Sequence, residues 1–110
     1  HIRITQEEGV TWAIESTGHA FGGHGGGSAA CAAVSVVLKG CGQAFLANES
    51  VRVEGSAAEP GQFALAVDRD GLVDEPTRAY CKAVWAVVEG ALQTAADSWP
   101  DEIVIERVER

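Results

Sequence analysis

GHAFGGHGGGSAACAAVS, residues 18–35, is the stretch on which both fold and chemistry turn. His19 stands at the end of a strand-like segment, and a glycine-rich loop follows it. The loop runs into Ser28, whose short hydroxyl side chain suits a helix N-cap. Ala29, Ala30 and Cys31 are then the first three helical positions, and the alanine- and valine-rich run beyond them predicts a helix over about Ala29 to Ala47. N–H groups in a first helical turn have no acceptor within the helix, and the helix dipole ends positive there. Both favour thiolate over thiol. A neighbouring imidazole would favour it further and hold the proton, and His19 and His24 are the two candidates.

The predicted helix is apolar almost all round. Ser35, Lys39 and Gln43 follow one another at i+4 steps and make a single narrow polar stripe, and four residues before Ser35 stands Cys31. The thiol therefore heads the stripe, whereas Cys41 falls on the apolar side. Gly40 and Gly42 each cost roughly 1 kcal/mol of helix propensity relative to alanine, which points to close approach by another backbone or to an early helix end. A single sheet cannot cover this much apolar helix surface, so a partner subunit is expected to bury part of it.

Before the loop, Ile2 to Thr5 and Val10 to Glu15 alternate apolar and polar, with Val10, Trp12 and Ile14 on one face. Gln6-Glu7-Glu8-Gly9 between them reads as a turn, giving a β-hairpin. After the helix, Val51 to Glu54 and Gln62 to Asp68 read as strands joined by the loop Gly55 to Gly61, with Phe63, Leu65 and Val67 on one face. Asp74-Glu75-Pro76 opens a second helix with the acidic residues and proline that helix starts prefer. Its apolar residues recur every four positions from Ala79/Tyr80 to Ala95/Ala96, opposite Arg78, Lys82, Glu89, Gln93 and Asp97, and it ends before Pro100. Glu102 to Val108 is a last strand. The order ββαββαβ predicts an α+β two-layer sandwich, a mainly antiparallel sheet with two helices on one face.

Composition narrows the function classes. At 110 residues the chain makes one domain, residues 1–110, with one two-layer core. A net charge of −8 leaves no basic face for a phosphate backbone, so no nucleic-acid partner is expected. Three cysteines without C-x-x-C spacing make neither a disulfide framework nor a structural zinc site. His19, His24 and Cys31 match no common zinc spacing, and neither a metal nor a cofactor is expected. The polar start IRITQEEG is neither signal peptide nor anchor. The apolar run Ala29 to Leu38 falls short of the ~20 residues of a membrane span. A cytoplasmic, reducing setting without a membrane partner is the expectation.

A free cysteine is usually a small buried hydrophobe, and Cys41 and Cys81 fit that description. Helix-start position and the polar stripe move Cys31 away from it. GGHGGG lacks a Walker-type Gly-Lys-Ser/Thr, and the lipase-like His-Gly-Gly-Gly run comes without a G-x-S-x-G nucleophile elbow. What the loop does offer is bare backbone N–H groups and flexibility, which suit admission of an extended peptide. On the residues alone, a nucleophilic dyad, a non-catalytic dimeric binding module and a thiol redox sensor stay open. The lack of a nearby resolving cysteine disfavours the sensor.

The stretch resembles the ribosomal-processing cysteine proteases. Gly18-His19-Ala20 and Cys31-Ala32-Ala33-Val34-Ser35 match the family's two motifs, with the same eleven residues between His and Cys. Length and element order agree across the whole chain. Ser28 stands where the family usually carries an acidic residue, and Ala29 and Ala30 where it carries larger aliphatic ones. The resemblance implies a cysteine endopeptidase that removes the N-terminal extension of a large-subunit ribosomal protein, acting as a homodimer on a basic ribosomal-protein terminus. It implies His19 and Cys31 as the catalytic pair. The expected supporting parts are the N–H groups near Ala30 and Cys31 as oxyanion donors, with Ser28 and Ser35 shaping the site. Phe21, Gly22, Gly23, His24, Gly25, Gly26 and Gly27 form the expected substrate loop. The alternative is a non-catalytic dimeric module associated with ribosome assembly.

Overall fold

The computed structural model describes residues 1–17, 29–56, 62–69 and 74–110. Strands β1 (Ile2–Glu7) and β2 (Val10–Ser16) form the expected hairpin. Its turn is Glu8-Gly9, with φ of 51° and 78°. Both residues thus have positive φ, as a two-residue hairpin turn requires if its twist is to match the strands. Helix α1 spans Ala29–Leu46, followed by β3 (Val53–Ser56), β4 (Phe63–Val67), α2 (Glu75–Ser98) and β5 (Ile105–Glu109).

The five strands lie in the order β3-β4-β2-β1-β5. Every pairing is antiparallel except that of β5 with β1, which is parallel. Both helices pack on one face of this sheet. Ile2, Ile4, Ile14, Leu65 and Val67 form the sheet side of the core; Val34, Leu38, Phe45, Trp85 and Leu92 form the helix side. The α+β two-layer sandwich in the order ββαββαβ is therefore the observed architecture. Phe45 and Trp85 join the helices, ring centroids 4.8 Å apart and tilted at 55°. The Tyr80 hydroxyl donates to the Ala44 carbonyl beside them.

Helix α2 begins as its sequence predicts. The Asp74 carboxylate accepts from the Thr77 backbone N–H at 3.1 Å and from the Thr77 hydroxyl at 2.7 Å, capping the first turn. Those bonds hold the Asp74 carboxyl below the usual carboxylate range.

Several local expectations are corrected. β3 begins at Val53 rather than Val51, because the Val51 N–H is spent on a turn, donating to the Asn48 carbonyl at 3.0 Å. β5 begins at Ile105 rather than Glu102, because Glu102 and Ile103 donate back to the Trp99 carbonyl as α2 ends. The register of β1 on β2 shifts between Thr5 and Gln6, opposite Trp12. Val10, near the hairpin tip beyond that bulge, is 57 % exposed instead of facing the core with Ile14. On α2 the buried line is Thr77, Cys81, Trp85, Val88, Leu92 and Ala95: the predicted pairs supply Val88, Leu92 and Ala95, while Cys81 and Trp85 take the place expected of Ala79/Tyr80 and Ala83/Val84. Gly40 and Gly42 do not end α1, and among the described residues no other backbone approaches either of them. A Cβ at Gly40 would meet nothing within 4 Å, and one at Gly42 only the Leu65 side chain, at 4.0 Å. Taken whole, α1 is long and apolar enough to cross a membrane by length and composition, unlike the shorter run to Leu38. Its Val34–Leu38–Phe45 side is nevertheless packed into the core between sheet and α2.

Candidate active site

The first turn of α1 divides its residues sharply. Ala30 is 1 % exposed and starts the inner line Val34, Leu38, Cys41, Phe45. Cys31, one residue on and so rotated by about 100°, is half-buried, as is Ser35; Lys39 and Gln43 are exposed. The polar stripe predicted from i+4 spacing thus lies off the core, with Cys31 at its head. Cys41 and Cys81 lie in the core, 2 % and 3 % exposed. Burial pushes the Cys41 thiol up to about 12 and raises that of Cys81. Those two are inert at neutral pH, so the position of Cys31 sets it apart among the three.

Of the other predicted site residues, Ala30 and Ser35 lie within a turn of Cys31 on α1. Ala30 faces inward, so only its backbone can serve the site. His19, the loop Phe21, Gly22, Gly23, His24, Gly25, Gly26 and Gly27, and the cap Ser28 lie outside the described residues. Among the described residues no cluster of three histidine, cysteine or acidic side chains is arranged to hold a metal ion.

Farther along α1, beyond Ser35, Lys39, Gly42, Gln43 and Leu46 form one wall of a groove of about 490 Å3; Val53, Gly55 and Ser56 of β3 form the other, and Phe63 and Leu65 of β4 the floor. Sequence reasoning missed this groove. Its one trace there was the pair Gly42 and Gly55, both of which face the Leu65 side chain.

Two further features lie away from Cys31. Val36 on α1 and Val87 on α2 are 71 % and 73 % exposed and border an apolar groove of about 450 Å3 between the helices, over Gly40 and Ala44. This is the unsatisfied apolar surface anticipated for the first helix. Near the start of α2, Trp12, Trp85, Val67, Arg69 and Arg78 line a cleft in which the Arg69 guanidinium lies 4.4 Å over the Trp12 ring. Arg69 also pairs with Glu7.

No family model and no curated protein matches this sequence. Solved structures do. The essential ribosomal processing protease Prp from S. aureus, in complex with a covalently linked product peptide, is 25% identical and superposes with a TM-score of 0.77 over 96% of each chain. The same protease in complex with a substrate peptide gives a TM-score of 0.74 at 18% identity, covering 97% of this chain and 99% of that one. SMU.848 from Streptococcus mutans gives 0.75 at 17% identity, covering 99% of this chain and 93% of that one. The resemblance read from the two motifs therefore extends to three dimensions: over nearly its full length, this chain has the fold of a ribosomal processing protease.

Proposed function

We propose that this protein is a cysteine endopeptidase that removes the N-terminal extension of a large-subunit ribosomal protein. The observation that carries the reading is Cys31, the one cysteine held off the core, at the start of α1. The fold shared with the S. aureus protease supports it, as does the Gly-His-Ala and Cys-Ala-Ala-Val-Ser spacing.

In this mechanism the Cys31 sulfur attacks the scissile carbonyl carbon while His19 accepts the thiol proton. The developing oxyanion is held by backbone N–H groups of the first helical turn, at Ala30 and Cys31. Collapse of the tetrahedral adduct breaks the C–N bond, and His19 returns the proton to the leaving amine. Water then attacks the thioester, with His19 as base, and releases the acid product and the thiol. Ser35 sits one turn beyond the sulfur. The reaction calls for neither metal nor cofactor. Three free cysteines in an acidic chain suit a reducing cytoplasm, and the acidic surface favours a basic ribosomal-protein terminus. The apolar groove at Val36 and Val87 is where a second copy would pack to give a homodimer.

The test is incubation of large-subunit ribosomal proteins carrying an N-terminal extension with the wild type and with Cys31→Ala and His19→Ala. Mass spectrometry should find one internal cut with the wild type and none with either variant. An uncut panel, or a cut that survives Cys31→Ala, refutes the reading. A non-catalytic dimeric module would bind a panel member without cutting it.

A further inference from the structure

We propose, building on the protease reading, that the groove between α1 and β3 is the continuation of the substrate channel. It would hold the part of an extended peptide about four to six residues from the scissile bond and select apolar side chains there.

The first argument is continuity. Cys31, Ser35, Lys39 and Gln43 succeed one another at i+4, a line that winds about 40° round α1 at each step, and Lys39 and Gln43 form the wall of the groove. At 1.5 Å per helical residue, Lys39 stands about 12 Å and Gln43 about 18 Å along the axis from Cys31. An extended peptide advances roughly 3.3 Å per residue. A substrate with its scissile carbonyl at Cys31 that follows the stripe therefore reaches the groove after about four residues and leaves its far end after about six.

The second argument is the lining. Leu46, Val53, Phe63 and Leu65 make the walls and floor apolar, while the polar ends of Lys39 and Gln43 stand at the rim. Gly42 and Gly55 face each other across Leu65 without side chains, and the space they leave is the groove. Apolar side chains fit the floor, and the rim can meet backbone carbonyls.

The third argument is access. β3 is the terminal strand of the sheet, and its groove-lining residues Gly55 and Ser56 are exposed, so an extended peptide can enter the groove from that edge.

Gly42→Leu tests this without undermining the helix, since leucine is the better helix former. The probe is a peptide spanning the extension–body junction of a large-subunit ribosomal protein, in a full-length form and in forms cut back to three residues on either side of the scissile bond. Gly42→Leu should raise KM for the full-length peptide on the order of tenfold, the worth of one displaced apolar side chain. The rate of Cys31 alkylation by iodoacetamide should not change. One of the shortened peptides should lose the difference between wild type and variant. In the Cys31→Ala background, Gly42→Leu should weaken anisotropy-measured binding of the full-length peptide by the same factor. An unchanged KM and affinity, or an equal loss on every shortened peptide, overturns the proposal. So does a change in oligomeric state in place of a change in KM, which would give the groove to a second copy. If the wild type cleaves none of the peptides, the protease reading itself fails and this inference falls with it.

Discussion

Native alkylation of the three cysteines distinguishes a thiol on the rim of the fold from two in its core. The Cys41 thiol is pushed up to about 12 by burial. At pH 8 its thiolate fraction is then about one in ten thousand, against about a quarter for an unperturbed cysteine at ~8.5. Since the thiolate is the reacting species, Cys41 is slowed on the order of a thousandfold before access is considered. Access adds more, because Cys41 and Cys81 are only 2 % and 3 % exposed at the bottoms of the grooves they help line. An intact-mass time course at pH 8 should therefore give one rapid adduct, mapped to Cys31, and two more only in denaturant. Cys31→Ala should remove the rapid phase entirely. Two native adducts at comparable rates, or a rapid phase that persists in Cys31→Ala, would refute the placement of Cys31 off the core and Cys41 within it. The same burial has a sign in stability: the folded pKa of Cys41 lies above its unfolded value, so its contribution is complete below about pH 9 and is lost as pH climbs toward about 12.

Three other outcomes follow from the packing and the cap. Phe45 is fully buried against Trp85, and Phe45→Ala should cost about 3–5 kcal/mol in urea unfolding; a loss below about 1 kcal/mol would contradict that packing. The Asp74 carboxyl is held low by Thr77, so its contribution to stability is present above the unfolded value near ~3.9 and lost as pH falls through the lower folded value. The gap in urea midpoint between wild type and Asp74→Ala should accordingly be open at pH 7 and close in strong acid. Val87, exposed on the groove between the helices, should report the homodimer: sedimentation should show a concentration-dependent dimer for the wild type and a monomer for Val87→Asp. A wild type that stays monomeric at high concentration contradicts the dimer.

What the sequence made legible was local. The start of α1 and its stripe followed from residues four apart on one helix, and the hairpin from alternation around a short turn. Asp74 announced α2 because a cap acts within three residues. Non-local partners were hidden. Nothing in the residues around Ile105 indicates that β5 will lie parallel to β1, and the shifted starts of β3 and β5 depend on turns that consume the N–H groups of Val51, Glu102 and Ile103. On α2, alanine and valine repeat on neighbouring faces, and the inward face is the one that carries Cys81, Trp85, Val88 and Leu92, with Trp85 against Phe45. The groove between α1 and β3 was invisible for the same reason, since one wall comes from α1 and the other from a strand placed by sheet order. The dyad partner His19 rests on the motif and its spacing to Cys31.

The central claim is that Cys31 is the nucleophile of a peptidase, and its most direct measurement uses a peptide with an electrophile. A chloromethyl ketone built on the residues preceding the cleavage point of a ribosomal-protein extension should add once per chain. Its adduct should map to Cys31, be slowed in His19→Ala and be blocked by excess uncleaved peptide. Labelling at Cys41 or Cys81, or equal labelling by a scrambled peptide ketone, would contradict the account.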